Sequence, residues 1–130
     1  MRAAKLAGMG AQATWIGGGG ELRERVRAAF GPGWQVSAIA SEHQLAGPAP
    51  DVILLDACTP GGDWAHTVAY LRADLRLFEV PIIVVIPPTW RAMRRYLRLH
   101  GLTLVPSSEL GELEALARGV IWSEAAASAA

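Results

Sequence analysis

Two stretches of the chain carry residue types that could do chemistry. In TWIGGGGELRERV, residues 14–26, four glycines separate an apolar run from a charged, helix-like one. A glycine-rich turn from strand into helix can offer backbone N–H groups to a phosphate or another anion. In DVILLDACTPGGDW, residues 51–64, an aliphatic run closes on Asp56, with Cys58 and Asp63 in the turn that follows. A carboxylate there could tie down nearby backbone N–H groups, and a thiol could do redox chemistry.

Spacing narrows these options. Counted from Gly17, a dinucleotide fingerprint needs its third glycine at position 22, where Leu22 stands, and no Gly-Lys-Ser/Thr follows. A small anionic ligand or nucleotide held by Gly17–Gly20 is therefore the minor reading, and a flexible loop the plainer one. Cys58 has no Lys or Arg near it in sequence to lower its pKa, so a reactive thiol is not expected. His43, His66 and His100 share no ligand spacing with one another or with Cys58. With no nucleophile–base pair and no metal set in the sequence, the chain is not read as an enzyme, and no cofactor is expected.

The totals set wider bounds. A chain of 130 residues can bury one core without metals or disulfides. Twelve basic and twelve acidic residues cancel, so no bulk field draws the protein to nucleic acid or an anionic membrane. The longest apolar run, PIIVVIPP, is far too short to span a bilayer. The start, MRAAKLAGMGAQAT, lacks the apolar centre of an export signal. A single cysteine cannot form an internal disulfide, and a cytoplasmic location is the expectation.

The elements that must position Asp56 follow from periodicity. ATWI (13–16) reads as a strand, and Leu22, Val26 and Phe30 recur at four-residue spacing on one face of a helix. After GPG, WQVSAI alternates as a half-buried strand, and SEHQLA reads as a short helix before GPAP. DVILLD is a third strand. WAHTVAYLRADL is a helix with Trp64, Val68, Leu71 and Leu75 inward. PIIVVI is apolar throughout, as a strand covered on both faces must be. Residues 90–99 read as a helix with Met93 and Leu97 inward, and LTLV as a fifth strand. Ser107 or Ser108 is expected to cap a last helix over 109–122, with Leu110, Leu113, Ala117 and Val120 or Ile121 inward. Residues 1–11 are read as a flexible lead and 123–130 as a flexible tail, around one domain over 12–122. Strands alternating with helices argue for a parallel sheet covered on both faces, with any ligand outside the carboxyl ends of its strands.

At this point the motifs become specific. DVILLDACTPGGDW resembles the third strand and following loop of a bacterial response-regulator receiver domain, with Asp56, Pro60, Gly61 and Asp63 in the family's places. YLRADLRLFEVPIIVV is similar to that family's third helix and proline-opened fourth strand, and HGLTLVPSSELGELEALARGV to its fifth strand and helix. The resemblance covers roughly residues 12–122. It implies a flavodoxin-like, doubly wound five-stranded sheet in the order 2-1-3-4-5.

The resemblance also implies a chemistry that can be checked by position. The family transfers a phosphoryl group from a histidine kinase to the residue matching Asp56. It uses a magnesium ion held partly by an acidic pair after the first strand, a Thr or Ser after the fourth strand, and a Lys after the fifth. Here the acidic pair falls at Gly17 and Gly18, the hydroxyl position at Ile86, and the lysine at Pro106 or Ser107. The family's aromatic switch position falls at Thr103 or Leu104. Charge-assisted contacts of the lost kind contribute about 1.5–3 kcal/mol each. Asp56 is thus expected to be an inactive phosphoacceptor position in a degenerate, pseudo-receiver pocket. The alternative is a conventional receiver in which Glu21 or Asp63 recruits magnesium by another geometry.

Function is then expected to pass through association with a protein partner or with a second copy. Along the fourth helical segment Arg91, Arg94 or Arg95, and Arg98 follow at helical steps, and Glu109, Glu112 and Glu114 lie on the fifth. In many receivers the face of the fourth helix, fifth strand and fifth helix forms a two-fold dimer through such pairs. Trp90 opens the fourth segment, and Trp64 stands where the family usually has Gly; both are candidate interface anchors or pocket filler. No output domain is read after residue 122, and no direct nucleic-acid or membrane partner is expected.

Overall fold

The computed structural model describes residues 10–90, 92–93 and 102–129, the segment 122–129 by its backbone alone. The strands are β1 (Ala11–Ile16), β2 (Trp34–Ile39), β3 (Val52–Asp56), β4 (Ile82–Ile86) and β5 (Thr103–Pro106). The α-helices are α1 (Glu21–Ala29), α2 (Trp64–Ala73) and α3 (Leu113–Ala129), joined by short 3₁₀ segments at Glu42–Gln44, Pro88–Trp90 and Ser107–Glu112. All strand pairs are parallel, and their order is β2-β1-β3-β4-β5, as the resemblance implied.

The apolar patterns explain the layers. Every residue of β3 and β4 is buried, because both strands lie inside the sheet with cover on either face. Edge strand β2 alternates half-buried and exposed positions through Ala38. On one face Trp15, Leu54, Val85 and Val105 pack under Val26 of α1, Phe30 just after it, and Leu113, Ala117 and Ile121 from α3. On the other, Ile53, Leu55, Val84 and Ile86 pack with Leu71 of α2 and with Leu77 and Val80 from the turn beyond it. Burying a side chain such as Leu71 contributes about 1.5–3 kcal/mol, so Leu71→Ala would be felt across this layer.

Several sequence expectations need correction. The second helical run shrinks to a three-residue 3₁₀ turn, closed by a capping box between Ser41 and Gln44. Leu75 is 92% exposed and not inward, because α2 ends at Ala73 and Asp74 turns extended. The cap position of the segment after β5 is Pro106, without a side-chain hydrogen bond, so the expected serine cap is absent there. A non-helical Glu109 separates that turn from α3. The α3 backbone runs to Ala129; alanine is the best helix former, and no breaker interrupts SEAAASA. Met93, expected inward, is 39% exposed. Leu97 lies outside the described residues, as do residues 1–9 of the expected flexible lead.

Candidate functional site

The order β2-β1-β3 places the sheet's switch point between β1 and β3, so a crevice opens at their carboxyl ends. Asp56 is the last residue of β3 and is 8% exposed. A carboxylate that buried needs donors, and the turn DACT supplies them locally. Oδ1 accepts from the backbone N–H of Cys58 at 2.8 Å and of Thr59 at 3.0 Å. Oδ2 accepts from the Gly18 N–H at 3.1 Å and from the Thr59 hydroxyl. The three-residue spacing from Asp56 to Thr59 lets one residue donate through both backbone and side chain.

The first two glycines are therefore engaged. The Gly17 N–H donates to the Ile39 carbonyl at 3.0 Å, and the Gly18 carbonyl accepts from the Trp15 indole at 2.9 Å. A Cβ built on Gly17 would stand 2.2 Å from the Asp56 Cβ, and one on Gly18 would stand 2.9 Å from the Thr59 hydroxyl oxygen. Side chains at the two positions that match the family's acidic pair would displace Asp56 or Thr59. With Gly20 at φ +83° leading into α1, and Glu21 and Glu24 in its first turn, the helix start carries negative charge. The Gly18 N–H is given to Asp56, and the Gly17 N–H to Ile39.

The remaining pocket positions carry no compensating groups of their own. Ile86 is fully buried and pairs across the ladder with Pro106 at the same end of the sheet. Glu21 is exposed, and Asp63 caps α2 by accepting from the His66 N–H at 3.0 Å. Among the described residues no three His, Cys, Asp or Glu side chains form a group able to hold a metal ion. Gly17 and Gly18 offer no side-chain oxygen beside Asp56.

Arg25 on α1 donates to the Ser107 carbonyl at 2.7 Å. Sequence proximity missed this cation, because it arrives from another element 82 residues away. It reaches the surroundings of Cys58, whose thiol donates to the Val85 carbonyl at 3.6 Å. Burial first, and the Asp56 charge second, push the Cys58 thiol up; the Ser107 contact and Arg25 only partly oppose them. A thiol held protonated is not a nucleophile.

On the other side of Asp56 a cleft of about 220 Å³ opens, lined by Gly17, Ser41, Glu42, Asp56, Trp64 and Thr67 among others. Glu42 went unremarked in the sequence reading, since the capping pattern SEHQ explains its neighbours and not its burial. Trp64 and Trp90 are both half-buried and pack against the core layer that contains Ile53 and Leu71. Of the expected interaction surface, Glu112 is exposed and Glu109 half-buried, while Arg91, Arg94, Arg95 and Arg98 lie outside the described residues. Glu114 faces elsewhere, accepting from the Gly31 N–H at 2.8 Å and from Arg118 at 3.0 Å. His43 stacks edge-on against Tyr70, His66 lies on α2, and His100 is outside the described residues.

No known family's sequence profile matches the chain, and no curated protein matches it in sequence. Among solved structures it is similar to the phosphorylated cyanobacterial phytochrome response regulator RcpA, with a TM-score of 0.60 over 85% of this chain and 90% of that one. The two share 18% sequence identity, so the likeness is one of fold. No helix among the described residues is long and apolar enough to cross a membrane.

Proposed function

We propose that this chain is an atypical receiver module of signal transduction, which acts by binding a protein and not by carrying a phosphoryl group on Asp56. One observation carries the reading: the carboxylate that matches the family's phosphoacceptor already receives four hydrogen bonds from its own chain. Either oxygen would have to shed at least one of its two donors before attacking a phosphorus atom. The charge developed in such a transfer needs cations aimed at it. The Asp56 side chain and the Thr59 hydroxyl stand where side chains at positions 17 and 18 would have to begin.

The test is incubation with a small phosphodonor and magnesium, followed by intact mass. The expected result is no adduct. A phosphoryl adduct that disappears in Asp56→Asn would replace this reading with a conventional phosphorelay receiver.

As one association surface we take β5 and the segment after it, where Glu112 is exposed, together with the partly open Trp90; Arg94 and Arg95 of the same expected surface lie outside the described residues. Sedimentation of wild type against Arg94→Glu/Arg95→Glu tests it. Self-association weakened by the charge reversal is expected, and a mass independent of both concentration and substitution removes the homodimer.

A further inference from the structure

We infer that the cleft beside Asp56 is a receptor for an arginine guanidinium presented by a partner protein. The inference rests on reading the chain as an association module, and it names the chemistry of one docking point.

Glu42 carries the argument. Its side chain is 9% exposed, yet its donors are few and distant. Oε2 is reached by the Thr67 hydroxyl at 3.3 Å and the Ser41 hydroxyl at 3.5 Å, and the Thr67 hydroxyl is shared with the Asp63 carbonyl at 3.3 Å. Oε1 receives no hydrogen bond among the described residues; its nearest basic atom is His43 Nε2 at 4.0 Å, on a ring that is 65% exposed. A carboxylate withdrawn from water in this way ordinarily finds a cation or a set of short hydrogen bonds. Here it forms part of the wall of an open cleft.

The rest of the wall selects the occupant. Asp56 and Asp63 add negative charge, and among the cleft's residues only His66 could oppose it. Trp64 supplies an indole, the aromatic surface that best attracts a flat cation. A guanidinium suits both features, since it pairs side by side with a carboxylate and stacks on an aromatic face. An ammonium does the first less well and lacks the plane for the second. About 220 Å³ is several times the roughly 30 Å³ share of one liquid water, so the cleft has room for such a head group. The space exists because the β2–β3 crossover carries one 3₁₀ turn and no α-helix.

The probe is the blocked peptide acetyl-Gly-Arg-Gly-amide, titrated against the full chain while backbone amide and indole resonances are followed by NMR. Saturable shifts confined to Ser41, His66, Thr67 and the Trp64 indole are expected, with affinity roughly tenfold or more weaker in Glu42→Gln. The lysine peptide should bind more weakly than the arginine one. Absent or scattered shifts, equal binding by Glu42→Gln, or equal binding of lysine would overturn the assignment. Should Glu42→Gln not fold, Trp64→Leu carries the same comparison, because leucine keeps apolar cover and removes the aromatic face. A silent cleft would leave the association reading standing, whereas a phosphoryl adduct on Asp56 would remove that reading whatever the cleft binds.

Discussion

Asp56 and Glu42 face the same cleft and are equally buried, each 8% exposed, but their surroundings differ. Asp56 sits at a strand end where the next turn curls back, so backbone N–H groups and the Thr59 hydroxyl reach both oxygens. Glu42 sits in a 3₁₀ turn whose capping bonds are made by its neighbours Ser41 and Gln44, and its own carboxylate is left with two long hydroxyl contacts. Burial alone therefore does not mark a working group. A carboxylate whose chain supplies every donor is a structural pin; one whose chain supplies few is open to a guest.

The comparison can be broken most forcefully at Gly17. Gly17→Asp introduces an acid at that position, but its Cβ would collide with Asp56 and its charge would face another carboxylate. A loss of about 3 kcal/mol is expected by chemical denaturation. Asp56→Ala strands the N–H groups of Gly18, Cys58 and Thr59 and should cost about 2 kcal/mol. Thr59→Val removes only the hydroxyl donor, with about 1 kcal/mol lost in the same assay. Glu42→Gln should fall within about 0.5 kcal/mol of wild type, since little that holds the fold depends on its charge. A cost as large as that of Asp56→Ala would erase the contrast.

The smallest effect concerns a third carboxylate. The Gly31 N–H, and after it Arg118, hold the Glu114 carboxyl below the usual glutamate range. Unfolded, Glu114 takes up its proton first as pH falls. Its contribution to stability is therefore complete above the unfolded value and is lost as pH drops through the lower folded one. Thermal melts of Glu114→Gln against wild type should converge as the solution is acidified through that window.

Much of the fold was legible because its signals are local. The uniform burial of IIVVI and VILLD, and the Val26–Phe30 stripe, are written in consecutive residues. Asp56 could be placed at a strand end for the same reason. Thr59 was within reach of sequence reasoning, since Asp followed by Thr three residues later is a known turn pattern. Arg25 at Ser107 and Glu42 under Thr67 were not, because each contact spans elements that meet only in three dimensions. Leu75 misled because its spacing extends the α2 stripe, whereas the chain leaves the helix at Asp74, whose carboxylate then accepts from the Arg76 N–H at 2.7 Å.

The Trp15 indole, fully buried and bonded to the Gly18 carbonyl, shares a peptide neighbourhood with the N–H that reaches Asp56. A change at the carboxylate that moves Gly18 is expected to alter the indole's hydrogen bond. The protein thus contains an optical gauge of its own pocket: a shift in the emission of one tryptophan, assigned by Trp15→Phe, would register disturbance at Asp56 without any added label.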